Sequence, residues 1–272
     1  MKKTLEPYQL IERSIIKKYR KELWTPFVVA VKRYELVQAG DRIAVCISGG
    51  KDSMLMAKLM QELQRHSDVP FELVFLVMDP GYNEINRQKI ESNAALLHIP
   101  ITVFETDVFA VANNSEKNPC YLCARMRRGY LYTEARKRGC NKIALGHHYD
   151  DAIGTVLMGL IYGGQVQAML PRVKAKNYEG MELIRPLYFT REQGVLDWAE
   201  YCGLTFLPCD CPAKKLESDT KRAEIKQLIA SLAANNPQIE ANIFNAVKNV
   251  DTAKLLGWRD ANGKHNFLDQ FE

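Results

Sequence analysis

Ser48-Gly49-Gly50-Lys51-Asp52-Ser53 follows directly on the apolar run Ile43-Ala44-Val45-Cys46-Ile47. Residues of these types, at the end of a buried strand and the start of a helix, suit a phosphate. Gly49 and Gly50 let the backbone approach closely, and the free N–H groups of the positive helix end face the anion. Lys51 can neutralise phosphate charge, Asp52 can hold a magnesium ion, and Ser48 and Ser53 can donate hydroxyl hydrogen bonds. The spacing departs from G-x-x-x-x-G-K-[ST], because Lys51 is followed by Asp52, which weakens a kinase or GTPase reading. G-x-G-x-x-G is absent here as well, so a nicotinamide cofactor has no obvious place to bind. The plainer alternative is a tight turn with solvated charges. It is the lesser reading, since the strand, the glycine pair, Lys-Asp-Ser and an apolar helix face (Met54, Leu55, Ala57, Leu59) coincide.

A second group of residues could hold a metal. Of seven cysteines, Cys46, Cys140 and Cys202 sit inside a strand or beside helix-ending glycines and read as packing residues. Pro119-Cys120-Tyr121-Leu122-Cys123 is a C-x-x-C at the start of a helix, where two thiolates can converge on one metal and the helix N-terminus favours their charge. Pro208-Cys209-Asp210-Cys211-Pro212 can add one further thiolate or two. Spacing alone leaves a zinc site, a redox pair and an iron–sulfur site open. A third segment, Gly146-His147-His148-Tyr149-Asp150-Asp151, follows an apolar strand and so lies where ligands bind in open α/β sheets. Asp150 and Asp151 also suit a helix cap, and either histidine could be a satisfied core group. Met78-Asp79 ends another strand, a position suited to adenine or ribose.

These residues need a scaffold that brings strand ends together, and the pattern supplies one. From Asp41 onward, strand and helix signals alternate: strands 42–47, 71–78, 101–104, 142–146 and 182–184, and helices 52–65, 84–98, 123–138, 150–162 and 191–202. The expected fold is α/β, a parallel sheet with helices on both faces. Residues 7–37 carry helical periodicity interrupted near Pro26, and a short strand is expected at 204–207. Helices are expected at about 217–234 and 237–256, with no pattern from Trp258. The expected organisation is an N-terminal helical element (1–40), an α/β domain (41–212) and a C-terminal helical extension (213–272). Arg125, Arg127, Arg128, Arg136, Lys137 and Arg138 share the helix that carries the cysteine pair, and Lys17, Lys18, Arg20 and Lys21 form a second basic group. An RNA backbone could sit there; the plain alternative is a solvated helix face.

The hexapeptide resembles the hallmark of the PP-loop ATPase family. With three cysteines, it is similar to the family's iron–sulfur tRNA thiolation enzymes of the TtcA/TtuA type. The likeness extends through Cys120-x-x-Cys123 running into an arginine-rich helix, Gly146-His147-His148-Tyr149-Asp150-Asp151, Tyr162-Gly163-Gly164 and Ile184-Arg185-Pro186-Leu187, roughly residues 40 to 215. The resemblance implies an adenine-nucleotide-binding fold and cleavage of ATP to AMP and pyrophosphate. It also implies a [4Fe-4S] cluster on Cys120, Cys123 and Cys211, with Cys209 as the alternative third ligand. ATP and Mg²⁺ would be held by Ser48, Gly49, Gly50, Lys51, Asp52, Ser53, Met78, Asp79, Gly146, His147, Asp150 and Asp151, with Lys51, Asp52 and Asp151 catalytic beside the three cysteines. Arg125, Arg127 and Arg128 would bind tRNA. Cys209 and Cys211 stand one residue apart, where a TtcA relative has two. The extra zinc-binding cysteine pairs of TtuA-type chains are missing, which places the chain nearer TtcA. The implied reaction is 2-thiolation of a cytidine by a transferase of the cytoplasm, served by a sulfur donor such as a cysteine desulfurase or sulfide, in a homodimer. Competing readings are an iron–sulfur desulfurase or thiolase acting on another nucleotide or small molecule, and a zinc-stabilised nucleotide-binding module without catalysis.

Composition sets the outer bounds. With 272 residues, 47% hydrophobic, the chain can bury a full α/β core. No apolar run approaches the ~20 residues that cross a bilayer, and the first residues lack a signal-peptide core. The expectation is therefore a soluble cytoplasmic protein with no membrane partner. A net charge of +5 permits nucleic-acid binding without requiring it.

Overall fold

The computed structural model describes residues 5–113, 119–207 and 217–270. Six strands form one sheet: β1 Arg42–Ile47, β2 Glu72–Asp79, β3 Ile101–Glu105, β4 Lys142–Ala144, β5 Arg172–Lys174 and β6 Glu182–Ile184. Their spatial order is β3-β2-β1-β4-β6-β5. Every pairing is parallel except β5 with β6. β1 is central, and Ile43 through Ile47 are all buried, as a strand covered on both faces must be. Ile43, Val45 and Ile47 each contribute roughly 1.5–3 kcal/mol by leaving water.

The strand order makes the site. From β1 the chain moves outward to β2 and β3 on one side and later returns to β4 on the other, so β1 and β4 flank a topological switch point. A crevice opens there between the loops that leave the two carboxyl ends. The helices that leave those loops are α3 (Lys51–His66) after β1 and α7 (Tyr149–Gly163) after β4.

The other helices that precede β4 are α1 (Pro7–Ile16), α2 (Thr25–Arg33), α4 (Glu84–Leu96), α5 (Val108–Asn113) and α6 (Pro119–Lys137). The expected interruption near Pro26 is a single π-helical turn, Arg20–Trp24. Pro26 has no N–H to continue an i→i−4 ladder, and the preceding Thr25 N–H reaches back to the carbonyl of Arg20. α1 is tied to α3 by a fully buried lysine. Lys58 Nζ donates to Glu12 Oε1 at 2.6 Å, Gln61 Oε1 at 2.8 Å and the Leu97 carbonyl at 2.8 Å. A charge so buried is tolerated only with its partners in place. The N-terminal helices accordingly share one compact unit with the sheet, Met1–Ala152 with Met169–Lys221.

After β6 come α8 (Glu192–Tyr201), α9 (Glu217–Asn235) and α10 (Ile239–Ala246). A second compact unit comprises Ile153–Ala168 and Arg222–Glu272. Several elements differ from the sequence expectation, in which α5 and the antiparallel edge strand β5 have no counterpart. Residues 204–207 form no strand; the Leu207 N–H bonds the Gly49 carbonyl at 3.3 Å. The helix expected over 237–256 ends at Ala246, and Asp251 starts a separate short turn by accepting the Ala253 N–H. The chain beyond it forms a hairpin, β7 (Gly257–Asp260) with β8 (Gly263–Asn266), turned at Ala261-Asn262, with Gly263 at φ +133° pairing with Asp260. Among the described residues no helix is long and apolar enough to cross a membrane.

Candidate nucleotide and metal site

The phosphate loop is built from its own hydroxyls. Ser53 Oγ accepts from the Ser48 N–H at 3.1 Å, meets Ser48 Oγ at 3.2 Å, and donates to the Gly50 carbonyl at 2.9 Å. The six residues therefore close into a turn at the N-terminus of the 16-residue α3, whose positive end faces the crevice. Gly49 has φ +82°, and a Cβ there would lie 2.6 Å from Ile90 Cγ1. No other residue type fits.

Gly146, at the end of β4, packs directly on this turn. A Cβ would sit 3.1 Å from the Ser53 nitrogen and 3.2 Å from the Asp52 carbonyl carbon, both main-chain atoms. Gly146→Ala is therefore expected to push the first turn of α3 out of place and weaken ATP binding about tenfold, the scale of a small overpacking strain, while the protein still folds. Calorimetric titration with ATP checks this; unchanged affinity would mean that the contact has no bearing on the nucleotide.

Around the turn lies a ring of charge. Lys51 Nζ is 3.0 Å from Asp52 Oδ2 and 3.1 Å from Glu192 Oε1. Burial by itself lowers the Lys51 pKa; the Asp52 and Glu192 carboxylates more than offset it, so the ammonium is held above its ordinary value. His148 is buried among three carboxylates: Nε2 lies 4.0 Å from Asp52 and 3.6 Å from Asp151, and Nδ1 lies 3.5 Å from Asp150. Asp151 Oδ2 also accepts the His148 N–H at 3.0 Å, the return half of a capping box for α7. Asp150 joins α8, accepting the Glu192 N–H at 2.7 Å and pairing with Arg191 at 3.1 Å.

A cavity of about 740 Å³ opens over this ring. Ser48, Gly50, Lys51, Asp52 and Glu192 form its polar floor, and Tyr82, Phe109, Leu196, Leu204, Phe206 and Leu207 form an apolar wall. That size and mixture suit a nucleotide or a flipped base. Arg127 of α6 lines the same cavity. Arg125 and Arg128 are exposed. Lys137 and Arg138, at the far end of the helix, pair with Glu134.

Two of the expected nucleotide residues are occupied elsewhere. Met78 is buried with Val108 and Cys123. Asp79 Oδ1 accepts the N–H groups of Gly81 and Tyr82 at 2.9 and 2.7 Å, and Oδ2 faces Arg87 at 3.5 Å, so its carboxylate shapes the loop after β2. Neither lines the cavity. His147 is half-buried in the β4–α7 loop. His148 and Glu192 are the residues that sequence reasoning left out of the site. The doubled histidine was visible, but only the loop geometry selects the second; Glu192 offered only an acidic residue in a helix's first turn.

Cys120 and Cys123 stand one turn apart in the first turns of α6, and Cys123 is buried. Cys209 and Cys211 lie outside the described residues. Two cysteines three residues apart on one helix suit a thiolate-ligated iron–sulfur group and equally the start of a zinc site, and Cys123 belongs to an apolar cluster with Met78 and Val108. Among the described residues no group of three or more His, Cys, Asp or Glu forms a metal site.

A phosphate-binding turn at the switch point of a parallel sheet, ringed by acidic groups, defines a nucleotide-using α/β protein. The family model described as the PP-loop domain matches residues 18–229, and the chain belongs to that family. It is similar over most of its length to proteins named tRNA-cytidine(32) 2-sulfurtransferase. The one from Geobacter sulfurreducens is 36% identical, the alignment covering 84% of this chain and 89% of the relative. That from Syntrophotalea carbinolica is 35% identical (84% and 88%), and that from Anaeromyxobacter sp. strain K 32% (88% and 84%). The U34-tRNA thiolase NcsA from Methanococcus maripaludis, solved with its [4Fe-4S] cluster, shares the fold at a TM-score of 0.67 and 22% identity, covering 88% of this chain and 81% of that one.

Proposed function

We propose that the protein is an ATP-dependent tRNA sulfurtransferase that replaces the C2 oxygen of a cytidine with sulfur. The observation that carries the proposal is the shared cavity: Arg127, one turn beyond Cys123, lines the same space as Lys51 and Asp52. This supports a reading in which the helix that carries the cysteine pair also serves the nucleotide site. The names of the relatives support the choice of base and reaction.

ATP enters with its phosphates on the amides at the N-terminus of α3 and on Lys51. The cytidine O2 attacks the α-phosphorus, pyrophosphate leaves, and AMP is joined to that oxygen. A sulfide-level sulfur then attacks C2, and AMP departs with the original oxygen. Asp52 and Asp151, with Asp150 as support, would share Mg²⁺ with the phosphate oxygens of ATP, and the ion would supply charge neutralisation there. Cys120, Cys123 and Cys211, with Cys209 the alternative to the last, would hold a [4Fe-4S] cluster, which supplies an open iron for sulfur. Lys51 and Arg127 place fixed positive charge where negative charge grows, in a cavity partly shielded from water. The apolar wall of Tyr82, Phe109 and Phe206 suits a flat base. Arg125 and Arg128 supply phosphate contacts for tRNA from the exposed side of α6. The reading places the enzyme in the cytoplasm, as a homodimer served by a cysteine desulfurase or sulfide.

The test is mass spectrometry of tRNA nucleosides from cells with and without the gene. Loss of 2-thiocytidine on deletion is the expected result; an unchanged spectrum overturns tRNA as the substrate.

A further inference from the structure

Lys51 has two carboxylates within reach, and only Asp52 is its neighbour in sequence. Glu192, in the first turn of α8, lies 141 positions away along the chain and 3.1 Å away in space. The Lys51 and Glu192 side chains are 21% and 22% exposed. An ion pair that is mostly withdrawn from water is worth more than one on an open surface. What fixes Glu192 is its main chain: its N–H donates to Asp150 Oδ2 at 2.7 Å, and the preceding Arg191 pairs with Asp150 Oδ1 at 3.1 Å. Changing the Glu192 side chain therefore leaves these main-chain contacts of α8 in place and takes the carboxylate away from Lys51.

We infer that Glu192 is a positioning residue that sets nucleotide affinity by competing with the phosphates of ATP for Lys51. The inference rests on the reading above that this site takes ATP. A phosphate oxygen that engages Lys51 must share the charge of its ammonium with the Asp52 and Glu192 carboxylates, and the Glu192 carboxylate faces the phosphate's negative charge from the cavity floor. Both effects weaken ATP binding. Both also speed the departure of pyrophosphate, because Lys51 has a partner waiting as the product leaves. Glu192 thus trades ground-state affinity for turnover, which is favourable when binding energy is better used later in the reaction.

Glu192→Gln keeps the side-chain length and an oxygen acceptor but removes the charge, and Glu192→Asp keeps the charge. Calorimetry of the full chain with Mg²⁺ and a non-hydrolysable ATP analogue should show Glu192→Gln binding about threefold to tenfold tighter than the parent, the worth of one partly buried pair. Glu192→Asp should stay near the parent. Inhibition by added pyrophosphate should strengthen in Glu192→Gln by a similar factor, and Glu192→Ala should move affinity in the same direction, so a folding defect in one variant does not decide the matter. A residue that merely braces α8 would lower the melting temperature without tightening ATP. Unchanged or weaker affinity in both Glu192→Gln and Glu192→Ala overturns the inference alone. Failure of the parent protein to bind the analogue overturns the ATP reading and the inference with it.

Discussion

Cys123→Ser is expected to bind ATP as the parent does and to form no 2-thiocytidine. The two halves of that result come from different parts of the structure. Cys123 does not line the nucleotide cavity. Its neighbours are Met78 and Val108, and serine nearly matches cysteine in volume, so the packing around α6 survives. A buried hydroxyl in place of a thiol costs about 1–2 kcal/mol unless it finds a helix carbonyl, too little to unfold a domain of this size. The dissociation constant for ATP should therefore change by less than about twofold, a shift under half a kcal/mol. Thiolation should fall below detection, because an oxygen ligand does not replace a thiolate on an iron–sulfur group. Iron and acid-labile sulfide in anaerobically purified protein should drop in parallel. Normal thiolation in the variant would make Cys123 a packing residue and remove the cluster from the proposal. Zinc without iron or sulfide in the parent would return the structural-zinc reading.

The sequence carried the scaffold further than it carried the site. Burial along an element leaves a periodicity in that element, and so β1, α3, β2, α4 and α8 were readable to within a residue or two. The phosphate loop was legible for the same reason, since its six residues are contiguous, running from the end of β1 into the first turn of α3. What one element does to another leaves no such trace. Glu192 meets Lys51 because the order β2-β1-β4-β6 stacks the N-termini of α3, α7 and α8 around the switch point, and no spacing in the chain encodes that. His148 enters among Asp52, Asp150 and Asp151 because Gly146 lets the β4–α7 loop press against α3. Asp79 has a local role that its position in the sequence does not reveal. A carboxylate at a strand end suits a ribose, and here one of its oxygens also accepts the next loop's N–H groups. The C-terminal hairpin was missed because β7 and β8 span only four residues each, too short for alternation to show.

Asp151→Asn separates two jobs that one carboxylate performs. As the return half of a capping box, Asp151 needs only an oxygen to accept the His148 N–H, and an asparagine presents one at the same place. The cap is worth about 1 kcal/mol, so Asp151→Asn should melt close to the parent, whereas Asp151→Ala should melt about 2–4 °C lower. The second job depends on charge. Asp151 stands with Asp52 and Asp150 around His148, and an acidic group there would hold the metal that balances the triphosphate. Removing one formal charge from such a set should lower kcat by about a hundredfold or more, the scale seen when a single fixed electrostatic group is deleted from an active site. Asp151→Asn and Asp151→Ala should therefore lose activity alike while differing in stability, and both should need more Mg²⁺ to reach half-maximal rate. If Asp151→Asn retained parental turnover at parental Mg²⁺, the residue would be a helix cap alone. The metal would then belong to Asp52 and Asp150, which approach the phosphate loop from α3 and α7 without it.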